Sequence, residues 1–231
     1  RFLDRGTLAK VGARWPEGGK PRALRQAWTV PLGTLALLGS WLAATAVVAE
    51  VRLGGLSDVF EKGTSWWPGP LGSTAALVLY LMAFMVQGGL EEWVVRGYIY
   101  HALKERWRWW AAALSSSILF SALHASNPNI TWVALVNIVL AGFILSELVE
   151  RSGSLWSAVV AHGVWNFVVA CVLSLPVSGI RIFRLLDLGI TGPPLLTGGE
   201  FGPEGSLILT FLGLVLAGLL WPRRPGVDTP G

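Results

Sequence analysis

Six long apolar runs dominate this chain, and each is near the length that crosses a lipid bilayer as a helix. A transmembrane helix needs about 20 predominantly apolar residues, because the hydrocarbon core of a bilayer is about 30 Å thick. Hydrophobic residues make up 53% of the sequence and charged residues only 14%, which leaves too little polar surface for a soluble domain. The sequence therefore predicts an all-α, polytopic transmembrane helical bundle. The predicted spans are residues 28–49, 72–103, 109–127, 131–148, 154–175 and 205–221.

The charges predict how these runs are organised and oriented. A basic segment at residues 1–27 precedes one transmembrane domain at 28–222, and a short tail follows at 223–231. Because Lys and Arg are enriched on the cytoplasmic side of membrane proteins, we expect both termini in the cytoplasm. The net charge of +4 is attributed to contact with anionic lipid, since no nucleic-acid-binding module is visible. No cleaved leader is expected, because the first segment lacks an apolar core.

Three local features carry further predictions. The second run would be about 48 Å long as a straight helix, so it must tilt, project from the membrane or break at Gly88–Gly89. The Gly- and Pro-rich stretch 176–205 indicates an external loop, in which Ile180–Leu188 is a candidate short interfacial helix. Tryptophans that flank the runs are expected to anchor the chain at the membrane interface. These are Trp66, Trp67, Trp107, Trp109 and Trp110.

Ionisable side chains occur inside three of the apolar runs, where they are unusual. Placing an ionisable group at mid-bilayer costs roughly 2.5 kcal/mol or more, so such groups normally line a polar cavity or pair with one another. Counted along each helix from the last basic residue, Glu91, His124 and His162 lie at depths of about 20, 24 and 16 Å. Three runs thus bring a carboxylate and two imidazoles to one layer. This predicts a catalytic or transport site inside the bundle.

The two adjacent glutamates are expected to have different partners. Residues four apart nearly share a face of a helix, so Glu92 can pair with Arg96. Glu91 points about 100° away from Glu92 and is left free for chemistry. The pair is therefore interpreted as structural support, and Glu91 as the reactive carboxylate.

The two histidines each have a partner one helical turn away. Phe120 and His124 are four residues apart, as are His162 and Asn166, so each pair can face one cavity. A neighbouring imidazole can hold a buried carboxylate such as Glu91 ionised and help it take a proton from water. The amide of Asn166 can donate two N–H bonds, which a developing oxyanion requires.

The order of these residues resembles that of a known family, the CAAX protease and bacteriocin-processing family of intramembrane proteases, also called the abortive-infection family. Each motif is weak alone, but the ordered set on successive runs is specific. The resemblance covers about residues 75–170. The motifs that carry it are Glu91-Glu92-x-x-x-Arg96, Phe120-x-x-x-His124 and His162-x-x-x-Asn166.

This resemblance implies an intramembrane endopeptidase acting on a membrane-associated or C-terminal peptide. Glu91 matches the family's catalytic glutamate, and His124 matches the histidine that helps to activate water. His162 and Asn166 match the pair that stabilises the oxyanion. The remaining motif residues are implied to be supporting, and they are Glu92, Arg96 and Phe120.

The substrate is expected to be a peptide or a lipidated peptide at the bilayer, with no nucleic-acid partner. The family's prenyl-protein proteases remove the last three residues of a lipidated CAAX tail. Those enzymes have eight spans whereas this chain has about six, so prenylation of the substrate is left open. Some bacterial relatives serve bacteriocin maturation or self-immunity, and we expect a bacterial or archaeal cell membrane as the location.

The metal requirement has two interpretations. Glu91, His124 and His162 form a ligand set seen in zinc proteases, in which water fills the open position. The HExxH motif is absent, however, and the resemblance favours a metal-free glutamate mechanism. No cofactor is therefore favoured, and zinc bound by these three residues is the alternative.

A non-catalytic function is the alternative to a protease. An immunity or scaffold protein would bind a peptide in the same cavity, and a small transporter would use the Glu and His groups to relay protons. A transporter would more often contain an internal repeat, which this sequence lacks. Retention of all four implied catalytic residues favours an enzyme. Asn137, in the fourth run, is predicted to link helices.

Overall fold

Helices make up most of the structure, a computed structural model that describes residues 19–63 and 68–221. π-helices at Trp93–Tyr100 and Val168–Val172 extend the helices before them, and strands β1 (Glu50–Leu56) and β2 (Leu186–Thr191) form a small antiparallel sheet. The α-helices are α1 (Gly19–Val48), α2 (Asp58–Lys62), α3 (Pro70–Glu92), α4 (His101–Lys104), α5 (Trp109–Leu123), α6 (Trp132–Ser152), α7 (Leu155–Phe167), α8 (Pro194–Thr197) and α9 (Leu207–Leu220).

The predicted fold class is confirmed, and the protein is an integral membrane protein built from apolar helices. In the described part of the chain, four helical segments are long and apolar enough to cross a membrane, namely Trp28–Val48, Pro70–Lys104, Trp132–Ser152 and Leu155–Val172. The third and sixth predicted spans are shorter helices, α5 and α9. The end predicted for the third span at residue 127 is wrong, because α5 stops at Leu123 and leaves His124 as its C-terminal cap.

The second span does not break at Gly88–Gly89, so that alternative for its excess length is wrong. The helix is continuous over 35 residues from Pro70 to Lys104, and α3 passes directly into the π-helix. The contacts that a Cβ atom would make at these positions show why glycine occurs there. A Cβ on Gly88 would lie 3.4 Å from the backbone nitrogen of Gly163, and one on Gly163 would lie 3.2 Å from the Cα of Met85. The small residues therefore allow close approach of α3 and α7.

The segment Ile180–Leu188 is not the interfacial helix that the sequence suggested. Its last residues belong to β2, in which Leu186 pairs with Leu56 and Leu188 with Leu53. Leu188 is buried in the apolar core beside residues of α1 and α7. Pairing with β1 satisfies the backbone of this segment, and burial of Leu188 favours the extended form.

The predicted tryptophan anchors divide into two groups. Trp107 and Trp110 are exposed, as an interfacial position requires. Trp109 is half-buried, with its ring centroid 4.8 Å from that of Trp221 and 5.9 Å from that of Phe143. Its role as an anchor stays a prediction. Trp66 and Trp67 lie outside the described residues, as do residues 1–18 of the basic segment and the tail 223–231, and the orientation of the termini stays a prediction.

The close contact of α3 with α7 leads to a stability prediction. In Gly163→Ala the new methyl group would lie 2.5 Å from Met85 Sδ as well as against the α3 backbone, and overpacking of this kind costs about 1–3 kcal/mol. We expect a lower melting temperature in detergent, read by intrinsic fluorescence. Gly39→Ala in α1 is the matched control, because its Cβ would meet no described atom within 4 Å. Equal melting temperatures in the two variants would contradict the packing role.

Candidate active site

A cavity of about 1160 Å³ runs between α1, α3, α5, α6, α7 and α9. Most of its lining is aliphatic or aromatic, and its polar groups include Glu91, His124, His162 and Asn166. The structure therefore brings the four predicted residues to one cavity from three segments of the chain. Phe120 lines the same cavity. The second glutamate and its arginine lie behind this wall rather than in it.

Glu92 and Arg96 form the ion pair that their spacing predicts. The Arg96 Nη1 group donates to Glu92 Oε1 at 3.0 Å, and both side chains are fully buried. The guanidinium carbon also lies 4.5 Å from the centroid of the Phe120 ring, in a cation–π contact. On the far side, an added Cβ at Gly142 would lie only 2.5 Å from Arg96 Nη2. A glycine in α6 thus makes room for the buried cation.

His162 connects this ion pair to the free glutamate. Its Nδ1 lies 2.9 Å from Glu92 Oε1, and its Nε2 lies 3.9 Å from Glu91 Oε2. Because a carboxylate can only accept, Nδ1 carries the hydrogen in this contact, and Nε2 faces Glu91 and the cavity. Glu92 therefore does more than neutralise Arg96, since it also fixes the orientation of the His162 ring. Sequence spacing predicted only the first of these contacts.

Glu91 differs from its neighbour in exposure. Its side chain is 31% exposed, whereas that of Glu92 is 0% exposed. Gln87, one turn earlier on α3, donates a hydrogen bond from Nε2 to Glu91 Oε1. Among the described residues, no group donates a hydrogen bond to the other oxygen, Oε2. One oxygen of Glu91 is therefore held by Gln87, and the other, which is buried, lies 3.9 Å from His162 Nε2.

His124 is held by the backbone of its own helix end. Its Nδ1 lies 2.8 Å from the carbonyl oxygen of Phe120, and the two rings are in edge contact with centroids 4.6 Å apart. A carbonyl oxygen can only accept, so Nδ1 donates and the neutral ring leaves an acceptor lone pair at Nε2. The Phe120 ring also meets the His162 ring at 90°, with centroids 6.0 Å apart. Phe120 therefore separates and orients both imidazoles.

Asn166 lies one turn after His162 on α7 and faces α3. Its Nδ2 donates to Gln87 Oε1 at 3.3 Å, and a second N–H remains on the same nitrogen. Gln87 was not among the predicted site residues, although the sequence contains a signal for it. Gln87 is a polar residue in an apolar run and stands four residues before Glu91.

Glu204 was also not predicted as a site residue. It holds residues 173–206, the covering loop, which lines part of the cavity. Its two carboxylate oxygens accept hydrogen bonds from Trp165 Nε1 at 3.0 Å and from the Ser178 backbone N–H at 2.6 Å. Close packing of the covering loop depends on Gly202, which has φ 97° and whose Cβ would lie 1.9 Å from the carbonyl oxygen of Pro176. The covering loop is therefore tied to α7 beside Asn166.

Asn137 links helices, as predicted. Its Nδ2 donates to the carbonyl oxygens of Glu204 at 2.8 Å and Ser206 at 2.9 Å, and its Oδ1 accepts from Thr210 Oγ1 at 2.7 Å. The side chain thus joins α6 to the covering loop and to α9.

The helices that carry the site change form next to it. α3 becomes a π-helix at Trp93, immediately after Glu92, and α7 becomes a π-helix at Val168, two residues after Asn166. The helix α5 ends at Leu123, immediately before His124. π-helical turns are uncommon and are frequent at functional sites. Helical periodicity alone does not predict them.

The metal requirement stays a prediction, and the three alternative zinc ligands line one cavity. Within residues 19–63 and 68–221, no three His, Cys, Asp or Glu side chains gather closely enough to hold an ion. His162 and His124 each direct Nδ1 to a protein oxygen, and one oxygen of Glu91 is bound to Gln87. No step proposed below therefore depends on a metal.

Comparison with known proteins supports the resemblance seen in the motifs. The family model described as type II CAAX prenyl endopeptidase Rce1-like matches residues 73–168, a range that contains all three motifs. No curated protein and no solved structure gives a match. The match indicates a CAAX-type intramembrane endopeptidase with a peptide substrate at the membrane. Residues 73–168 of the chain are therefore similar to the CAAX protease and bacteriocin-processing family.

Proposed function

We propose that this protein is a metal-free intramembrane endopeptidase in which Glu91 is the general base. The observation that carries the proposal is the difference between the two glutamates. Glu92 is fully buried in an ion pair, while Glu91 faces the cavity with Oε2 3.9 Å from His162 Nε2. A general base must reach both water and the reacting carbon, and of the two glutamates only Glu91 lines the cavity and is partly exposed.

Water is activated between Glu91 and His124. Glu91 Oε2 accepts the proton of the attacking water, and the lone pair on His124 Nε2 orients it. The hydrogen bond from His124 Nδ1 to the Phe120 carbonyl keeps Nε2 in the accepting form. The hydroxide that develops adds to the carbonyl carbon of the scissile peptide.

The oxygen of that carbonyl becomes negatively charged and needs donors. Asn166 supplies the N–H that Gln87 does not use. As an imidazolium, His162 donates from Nδ1 to Glu92 and from Nε2 to the oxyanion. Donors held in place before reaction stabilise the transition state without reorganising. Glu91 then returns the proton to the leaving amine, and the C–N bond breaks.

The substrate is a peptide segment of a membrane-associated protein, including a C-terminal one. Aliphatic residues of α1, α6 and α9 contribute to the cavity wall, and apolar side chains or a lipid chain on the peptide are compatible with it. Whether lipidation is required is decided by comparing lipidated and unlipidated forms of the same peptide.

The base assignment is tested with Glu91→Gln in a peptide-cleavage assay read by mass spectrometry. The amide is isosteric but cannot accept the proton of water, so we expect no cleavage while the melting temperature stays near that of the wild type. Wild-type cleavage is expected to survive treatment with a chelator. Wild-type turnover by Glu91→Gln, or activity lost on chelation and restored by zinc, would contradict the proposal.

The oxyanion assignment predicts a loss of turnover in Asn166→Ala. Removal of one oxyanion donor costs roughly 10²–10³ in kcat. The variant should keep its fold, because the described contact of the side-chain amide is one hydrogen bond of 3.3 Å to Gln87. The measurement is kcat on the best peptide of the cleavage assay. A loss below about tenfold would assign Asn166 a structural role instead.

The two neighbouring glutamates are predicted to differ in their effects on stability. Glu92→Gln leaves Arg96 as an uncompensated buried charge, and breaking a buried pair in this way costs about 3–5 kcal/mol. We expect a clear fall in the melting temperature in detergent. Glu91→Gln is the matched control, with the same chemical change one residue away on a partly exposed side chain. Equal melting temperatures would show that the ion pair does not support the fold.

A further inference from the structure

Gln87 is the residue that bonds both to the proposed base and to the proposed oxyanion donor. Its Nε2 donates to Glu91 Oε1, and its Oε1 accepts from Asn166 Nδ2 at 3.3 Å. The oxygen and the nitrogen of one side-chain amide thus connect Glu91 on α3 with Asn166 on α7. No motif of the family resemblance includes this position.

The location of Gln87 makes a polar residue there costly. It lies in the membrane span Pro70–Lys104, on a face that borders the cavity and a shallow apolar groove lined by Leu79, Met82 and Val86. An amide in an apolar environment carries a desolvation cost unless its polar groups are hydrogen-bonded. Simple packing at this surface would be served equally well by an aliphatic side chain. The two hydrogen bonds therefore give the most direct reason for glutamine.

We propose that Gln87 is a positioning residue, which sets the carboxylate of Glu91 and the amide of Asn166 for the same reaction. The proposal rests on the proposed protease function. The hydrogen bond to Oε1 occupies that oxygen and turns the other, Oε2, toward His162. Without Gln87 the carboxylate rotates freely and either oxygen can face the protein.

The second bond acts on the oxyanion donor. Asn166 has two N–H groups on one nitrogen, and acceptance of one by Gln87 fixes the plane of the amide. The other N–H then points away from α3 into the cavity. Because the same Gln87 amide holds Glu91, the distance between base and oxyanion donor is fixed by a single side chain. Misplacement of a reacting group by 1 Å can cost about 10²-fold in rate.

The proposal is tested with Gln87→Met, which keeps the length of the side chain and removes both hydrogen bonds. We expect kcat to fall by about tenfold or more while KM and the melting temperature stay near wild-type values, because positioning and not binding is lost. Val86→Ala is the matched control, since Val86 is adjacent on α3 and is exposed on the outer face. Gln87→Glu tests the two hydrogen bonds of Gln87 separately. It keeps an acceptor for Asn166 but sets a carboxylate against Glu91, so it should lose at least as much kcat as Gln87→Met.

A second readout does not depend on cleavage. Dicyclohexylcarbodiimide adds to protonated carboxyl groups in apolar surroundings, and mass spectrometry measures the rate at which Glu91 is modified. Loss of the Gln87 donor leaves Glu91 Oε1 without its described hydrogen bond and frees the carboxylate to turn, so Gln87→Met should be modified faster than wild type. Val86→Ala should react at the wild-type rate.

The outcomes separate the two proposals. If wild type cleaves no peptide, the protease function fails, and the rate of Glu91 modification alone decides whether Gln87 holds the carboxylate. Wild-type kcat together with a wild-type modification rate in Gln87→Met would overturn the positioning role. A raised KM at unchanged kcat would also overturn it, because Gln87 would then contact substrate instead of acting through Glu91.

Discussion

The buried ion pair of Glu92 and Arg96 is the contact on which the rest of this site depends. Taking two charges out of water costs several kcal/mol per ion, and only close pairing with further polar or aromatic contacts offsets it. Those contacts come from other helices. His162 on α7 meets the carboxylate at 2.9 Å, and the Phe120 ring on α5 lies 4.5 Å from the guanidinium carbon. We infer that the pair fixes the mutual positions of α3, α5 and α7 more than it adds net stability.

The same contact separates the roles of two identical residues. Glu92 has no freedom to bind water, since it is fully buried and accepts from both Arg96 and His162. Glu91 is one residue further back, and the 100° turn of the helix brings it to the cavity. His162 contacts both carboxylates through different ring nitrogens. In the proposed mechanism, the base and the residue that supports it are thus adjacent in the chain, and one imidazole contacts both.

The features of this structure that follow from hydrophobicity and helical spacing were predictable from the sequence. The transmembrane helical fold and the family were predicted correctly, and so was the pairing of Glu92 with Arg96. Contacts between segments distant in the chain were not predictable in this way. A break at Gly88–Gly89 was one of three alternatives for the long second span, because nothing local shows that α7 packs there. Ile180–Leu188 was a candidate interfacial helix, because the strand β1 that pairs with its end lies about 130 residues earlier. The roles proposed for the site residues remain predictions.

The distribution of polar residues along the cavity suggests how the backbone of a substrate peptide is accommodated in an apolar environment. A peptide in a membrane must have its backbone N–H and C=O groups satisfied, because no bulk water is available to them. Along most of the cavity the wall is aliphatic and offers few such partners. The polar residues that line the cavity beside Glu91 and His162 include Gln87, His124 and Asn166. In the proposed protease, a bound peptide therefore gains most where its backbone reaches these polar residues, so the groups that bind the substrate backbone would also select the bond to be cut.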